Sequence, residues 1–298
     1  MKVTIIGLGL IGGSIAIDLR KKGVATQLIG VDQNEDHVSE ALRLGIVDEV
    51  KGIKEAVENT DLIILSIPVN AMIGMIGDLL SRVNPGVTII DMGSTKSAIC
   101  NAIRTHKNRS QFVAAHPIAG TENSGPGAAL LGLFNNKTMI VCEKECSSDN
   151  ALSVADKVFK ALSVKTIFMK PLDHDRHVAY VSHLSHVSSF LLGKTVMDIE
   201  KDEKNIFDLA GSGFASTVRL AKSSPDMWAP IFEQNAEYLS QALQEYIMHL
   251  QRFHYYLMKK DSKEIHHIMT EANEIRRVLS GIELKNEKEN KVELLIEE

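Results

Sequence analysis

A chain of 298 residues is long enough for one large or two medium domains with a sizeable core. Hydrophobic residues at 44% and charged residues at 24% are the proportions of an ordinary soluble globular protein. A net charge of −5 speaks against an obligate nucleic-acid binder, which needs a basic face, but a few local arginines could still serve an anionic substrate.

The N-terminal run VTIIGLGLIGGSIAI (3–17) has the apolar texture of a signal peptide, yet its spaced glycines and the cluster Asp18, Arg20, Lys21, Lys22 behind it argue otherwise. No apolar run approaches the roughly 18 residues of a membrane span. Cys100, Cys142 and Cys146 are odd in number and poorly placed for a disulfide framework. Cys142 and Cys146 have no nearby histidine to complete a zinc site. These features predict a reduced, cytoplasmic protein.

Taken in chain order, apolar β-branched runs at 2–7, 27–32, 61–67, 87–92, 112–117, 137–143 and 164–169 read as strands. Helical patterns fall between most of them, at 12–22, 35–44, 70–82, 95–106 and 149–162. Strands apolar on both faces and separated by helices imply a mainly parallel sheet covered on both sides. After Pro171 the texture changes. No convincing strand follows, and 173–198, 227–259 and 262–282 each read as one helix, with GSGF (211–214) as a break. The expected organisation is a nucleotide-binding domain over 1–170, a helical domain over 171–284, and a charged tail over 285–298.

Gly7, Gly9 and Gly12 form G-x-G-x-x-G directly after a strand and at the start of a helix, with Leu10 and Ile11 completing the turn. The first glycine permits a tight turn, the second lets backbone approach a pyrophosphate, and the third lets helix pack close to strand. The pyrophosphate would rest on free N–H groups at the helix start. Asp32 ends the next strand, twenty positions after Gly12, where a carboxylate can accept from ribose hydroxyls. A 2′-phosphate there would meet like charge, with Gln33 and Asn34 beside it and no arginine, so NAD is favoured over NADP. The fold class is therefore α/β: a Rossmann-type, mainly parallel, doubly wound sheet followed by an all-helical C-terminal domain. Ser66 and Pro68 end another strand at the ligand crevice. They either line the nicotinamide half or form a plain turn before a helix.

Two more segments, DMGSTKSA (91–98) and HPIAGTENSG (116–125), fall at strand ends on the same edge. His116 is the candidate proton acceptor, because imidazole titrates near neutrality and oxidising a carbinol requires its O–H proton to be taken. Ser94 could hold the same hydroxyl or the imidazole. Ser182 and His186, four apart on one helix, share a face. His183 points elsewhere and reads as packing or interface. His174, His177, His183 and His186 lack an evident carboxylate to complete a metal site, so no metal is expected. Arg219 suits a substrate carboxylate, which guanidinium pairs bidentately, and otherwise reads as a surface ion-pair partner.

Together with the glycine loop, the segments HPIAGTENSG, DMGSTKS, SHLSH (182–186) and VRLAKSSPDMW (218–228) resemble the prephenate/arogenate dehydrogenase family over about 1–282. The resemblance implies that His116 bonds the ring 4-hydroxyl and that Ser94 supports it. It further implies that the Ser182–His186 face meets substrate, that Arg219 binds its carboxylate, and that Thr121 and Glu122 stand at the pocket entrance. Trp228 matches a tryptophan near the substrate or fills core. A Lys-Asp pair that often precedes the arginine is Ala215-Ser216 here, so Glu122 lacks its usual partners. The implied activity is NAD-dependent oxidative decarboxylation of prephenate to 4-hydroxyphenylpyruvate in tyrosine biosynthesis, by a homodimer joined through the helical domain. The alternatives are arogenate oxidation by the same machinery, another hydroxy-acid dehydrogenase of the Rossmann-plus-helical kind, or a redox-inactive nucleotide sensor. Neither a chorismate mutase segment nor an ACT domain is expected.

Overall fold

The structure, a computed structural model, describes residues 1–202 and 205–281. The charged tail expected at 285–298 lies outside the described residues. In chain order the first elements are β1 (Lys2–Ile6), α1 (Leu10–Lys21), β2 (Gln27–Val31), α2 (Glu35–Arg43), β3 (Glu49–Val50), α3 (Ile53–Ala56) and β4 (Leu62–Leu65). Next come α4 (Val69–Arg82), β5 (Thr88–Asp91), α5 (Ser97–Ala102), β6 (Phe112–Pro117), β7 (Thr138–Cys142), α6 (Asp149–Ala161) and β8 (Lys165–Met169). The helical part holds α7 (Pro171–Val178), a π turn (Ala179–His183), α8 (Leu184–Asp202), α9 (Ser212–Val218), α10 (Pro225–Gln234), α11 (Ala236–Met258) and α12 (Ser262–Ala272). The chain divides into two compact units, Met1–Leu239 and a second from Ser240 onward.

One sheet runs β3-β2-β1-β4-β5-β6-β7-β8. All neighbours are parallel except β6 and β7, so β7 and β8 run against the rest. Strand residues alternate between two apolar layers, as a doubly covered sheet requires. Val3, Ile5, Leu62 and Ile64 join Ile15 and Leu19 of α1 and Val158 of α6 on one face. Ile63, Leu65 and Ile89 join Ile76 and Leu80 of α4 and Cys100 of α5 on the other. The strand order reverses between β1 and β4, which places the loop after β1 beside the end of β4, where a doubly wound fold opens its ligand crevice.

Six readings are corrected. The two-residue β3 is an eighth strand, too short to show a period. The 95–106 helix is confined to Ser97–Ala102. The stretch 173–198 is not one regular helix, because a π turn separates α7 from α8. The stretch 227–259 breaks at Asn235, whose backbone leaves helical geometry at φ −111° and ψ 25°. Cover on both faces also fails at β8: the strand at the sheet edge exposes Ile167 and Phe168. α9, at Ser212–Val218, begins inside the segment read as a break.

The turn from β1 into α1 depends on close backbone approach. Gly7 has φ +96°, and a Cβ on Gly12 would collide with the Gly7 carbonyl and the Ser66 hydroxyl. A Cβ on Gly9 would meet nothing within 4 Å. Gly12→Ala is therefore expected to destabilise the fold by about 2 kcal/mol, the cost of overpacking. Gly9→Ala should stay within about 0.5 kcal/mol of the wild type. Urea unfolding of both variants checks the contrast.

Candidate functional site

The cofactor end is built first. No side chain caps the start of α1, so its first N–H groups face outward from the glycine turn. This is a cradle for a pyrophosphate, with open space over Gly9. Asp32 follows β2, and its carboxylate accepts from the Leu8 N–H (2.8 Å) and the Asn34 N–H (2.9 Å). It thereby ties the glycine loop to the strand end while keeping lone pairs for ribose hydroxyls. Ser66 donates to the Gly7 carbonyl (2.9 Å), so its hydroxyl is turned onto the loop backbone. Pro68 is exposed at the start of α4. These residues fit a dinucleotide.

The chemical end lies at the carboxyl ends of β5 and β6. His116 is buried near the end of β6. Its Nδ1 lies 2.8 Å from Nε2 of His174, and Nδ1 of His174 lies 2.7 Å from Oδ1 of Asp175. Burial opposes the ionised form of Asp175, yet its bonds from His174 and Ser97 hold the carboxyl below its ordinary value. An ionised carboxylate makes His174 donate from Nδ1 and accept at Nε2. His116 then donates from Nδ1, which leaves its Nε2 as a free acceptor. Burial first, and then the charges of His174, Lys96 and His183, push His116 well below the ordinary histidine value. It is a neutral base. Asp175 also accepts the backbone N–H groups of Lys96 and Ser97, each at 2.8 Å.

A second polar cluster adjoins the first. Asn235, at the break between α10 and α11, donates from Nδ2 to the Asp175 carbonyl (2.7 Å) and to Nδ1 of His183 (3.0 Å). His183 is buried edge-on to Trp228 and Phe232, and burial pushes it down to about 4. His186 donates from Nδ1 to the Ser182 carbonyl (3.0 Å) and stacks on Trp228 at 3.6 Å between ring centroids. The Trp228 indole N–H is buried with no partner. Arg219 sits near enough for its charge to act on His186, and its guanidinium bonds Glu122 at 2.9 Å. Glu122 is held below the ordinary carboxylate value by its own backbone N–H and then by Arg219. Ser94 is half-buried after β5 and makes no hydrogen bond to His116. Thr121, whose hydroxyl accepts from the Asn123 N–H, precedes Glu122 in the loop after β6. That loop returns onto α1: Leu130 N–H donates to Ser14 and Gly132 N–H to Asp18.

His116, His174, Asp175, His183, His186, Arg219 and Glu122 thus form a continuous electrostatic neighbourhood, while Asp32 and the glycine loop stand apart from it. Sequence reasoning missed Asp175, Lys96, Asp91 and Asn235, and weighed His174 only as a metal ligand. The adjacent His174-Asp175 pair at the start of a helical stretch was the available signal. Nothing linear connects it to His116, 58 residues away. Among the described residues no three of His, Cys, Asp and Glu converge as a metal site. Burial raises the Cys100 and Cys142 thiols, so neither is a ready nucleophile.

The depressed histidines make the fold acid-sensitive. Between about pH 6.5 and 4, an unfolded histidine takes a proton that His183 refuses in the folded chain. Its stabilisation is complete above that window and lost as pH falls through it, by on the order of 3 kcal/mol. His116 and His174 act in the same direction. Urea midpoints should fall with pH across this range, and less steeply for His183→Gln. Parallel curves would remove His183 from the effect.

Known proteins match both parts of the chain. Residues 15–168 match the family profile described as prephenate dehydrogenase, nucleotide-binding domain, and 170–271 match the prephenate dehydrogenase dimerization domain. A prephenate dehydrogenase of Bacillus subtilis (strain 168) is 30% identical over 93% of this chain and 76% of its own length. The crystal structure of prephenate dehydrogenase from A. aeolicus in complex with hydroxyphenyl propionate and NAD+ is 30% identical. It has a TM-score of 0.84 and covers 94% of this chain and 98% of that one. Synechocystis arogenate dehydrogenase is 28% identical, with a TM-score of 0.72 and coverage of 94% and 100%. With both profiles matched in order and the similarity running through nearly the whole chain, the protein belongs to the prephenate dehydrogenase family and is an NAD-dependent oxidoreductase.

Proposed function

We propose that this chain oxidises prephenate to 4-hydroxyphenylpyruvate with loss of carbon dioxide. The observation that carries the reading is the hydrogen-bonded run Asp175–His174–His116, which leaves a neutral imidazole Nε2 ready to accept a proton. When bound, NAD would be held by Gly7, Gly9, Leu10, Ile11 and Gly12 with Asp32 available to its ribose hydroxyls, and would supply the two-electron oxidation of the carbinol carbon. His116 accepts the proton of the ring 4-hydroxyl at Nε2, with Ser94 bonding the same hydroxyl. The positive charge that develops on His116 is answered through His174 by Asp175. The ring carboxylate leaves as carbon dioxide, the electrons of its broken bond complete the aromatic ring, and the resulting phenolate oxygen takes the proton back from His116. Because aromatisation drives the step, the residues chiefly position the reactants and complement their charges.

Arg219 takes the side-chain carboxylate of the substrate, competing with Glu122 for the guanidinium. Thr121 and Glu122 flank the entrance, and Ser182, His186 and Trp228 form a wall. Residues 1–170 hold the cofactor, and the helical domain expected over 171–284 supplies substrate contacts and a homodimer interface. Exposed Val181, Leu191, Met197 and Ile199 near α8 support that interface, as does the dimerization-domain profile.

Purified protein with NAD and either prephenate or arogenate, followed by NADH absorbance, should turn over prephenate. Turnover of arogenate alone would reassign the substrate, and NAD binding without either turnover would remove the reading. His116→Asn should lower kcat by about 10²–10⁴-fold with little change in substrate affinity. Arg219→Gln should raise the KM for prephenate by about 10–100-fold, the loss of a charge-assisted hydrogen bond, and leave NAD affinity unchanged. An unchanged KM would take Arg219 out of substrate binding.

A further inference from the structure

Directly behind His116 lies an ion pair that the proposed chemistry does not use. Asp91 and Lys96 have fully buried side chains, and the Lys96 ammonium bonds the Asp91 carboxylate. The same ammonium donates to the Ala115 carbonyl (2.8 Å), and the Asp91 carboxylate accepts the Ala115 N–H (2.9 Å). Asp91 also accepts the Gly93 N–H (3.2 Å). The residue immediately before His116 is thereby gripped on both its amide and its carbonyl. The backbone N–H of Lys96 is in turn held by Asp175, at the far end of the histidine run. Lys96 therefore joins both ends of the run: His116 through Ala115, and His174 through Asp175.

A buried ion pair is poor value for stability, since a well-packed apolar pair of the same volume often does as well. Its worth here is positional. We propose that Asp91 and Lys96 are positioning residues for the catalytic base, setting the backbone that carries His116 and keeping its imidazole neutral. The proposal rests on the assignment of His116 as the base.

The groups around His116 each have a direction. His174 meets it from α7, with Asp175 behind; His183 lies near it from the π turn; Lys96 approaches from the segment after β5, with Asp91 beyond. Lys96 adds a fixed positive charge near both His116 and His174, which opposes protonation of either imidazole. Asp175 opposes that effect at His174 through its hydrogen bond. With the Lys96 charge gone, protonation of His116 becomes easier.

The test combines a titration that needs no substrate with a kinetic profile. Histidine is labelled for magnetic resonance, and His116 is assigned by loss of its signal in His116→Asn. In the wild type its signal should stay that of a neutral imidazole down through ordinary histidine pH values. Two double variants remove the charges: Asp91→Asn with Lys96→Met, and Asp91→Asn with Lys96→Gln. The second pair keeps amide groups that can bond Ala115, as a guard against failure to fold. Either variant should move the His116 midpoint upward by about one pH unit. With substrate, the acid limb of kcat/KM should move the same way. Lys96→Met should also lower kcat by on the order of ten-fold, with KM for NAD unchanged, because the grip on Ala115 is lost.

A wild-type His116 that titrates at an ordinary histidine value overturns the proposal, whether or not either variant folds. So do folded variants whose His116 midpoint and acid limb match the wild type. If prephenate and arogenate are both inert, the magnetic-resonance titration still decides the role of Lys96. Failure of the substrate reading is thus kept apart from failure of this one.

Discussion

Asp175 sits almost wholly out of water, so its charge has to be met by donors from the protein itself. It meets three: the backbone N–H groups of Lys96 and Ser97 and the ring N–H of His174. They serve two purposes. The first two fix the start of α5, which descends from the end of β5. The third fixes the tautomer of His174, and through it that of His116. The Asp175 carbonyl meanwhile takes a bond from Asn235, which ties the break between α10 and α11 to the same residue. A neutral side chain at 175 would leave two amides weakly held and His174 free to flip its tautomer. Asp175 thus ties α7 to the start of α5 and, through His174, to His116 on β6.

The cofactor end has a comparable economy at smaller scale. Asp32 is expected from sequence to face ligand and Ser66 either to face it or to form a plain turn, and both bond the glycine loop itself. Such bonds shape the loop before any dinucleotide arrives, which lowers the ordering cost of binding. The loop after β6 adds a second tie, since Ser14 and Asp18 on the buried face of α1 accept its amides at Leu130 and Gly132.

How far the sequence discloses all this depends on whether a signal is local. The glycine turn, Asp32 and every strand except the two-residue β3 are legible because strand period, turn glycines and helix starts are short-range patterns. His116 is legible because a histidine at the carboxyl end of an apolar strand is unusual. The run behind His116 is not, since His174 and Asp175 meet it only once a helix has folded back across the sheet. Lys96 is still less visible: a lysine at a strand end reads as surface, and only the carboxylate of Asp91 beside it explains its burial. The kink at Asn235 is hidden for the same reason, because helical period continues through it and only tertiary hydrogen bonds reward the departure.

The π turn at Ala179–His183 inserts one extra residue into what periodicity reads as a single helix. Ala179 and His183, at the two ends of the turn, are both buried, and the wide turn between them stands where an α-helix would close with 3.6 residues. Helix phase before the turn serves the histidine run, and phase after it serves the wall formed with Trp228. The two halves of this helix are thus in different reading frames of the same surface. A single-residue deletion within the turn would return it to α geometry, at the cost of the wide turn that now separates the two helices.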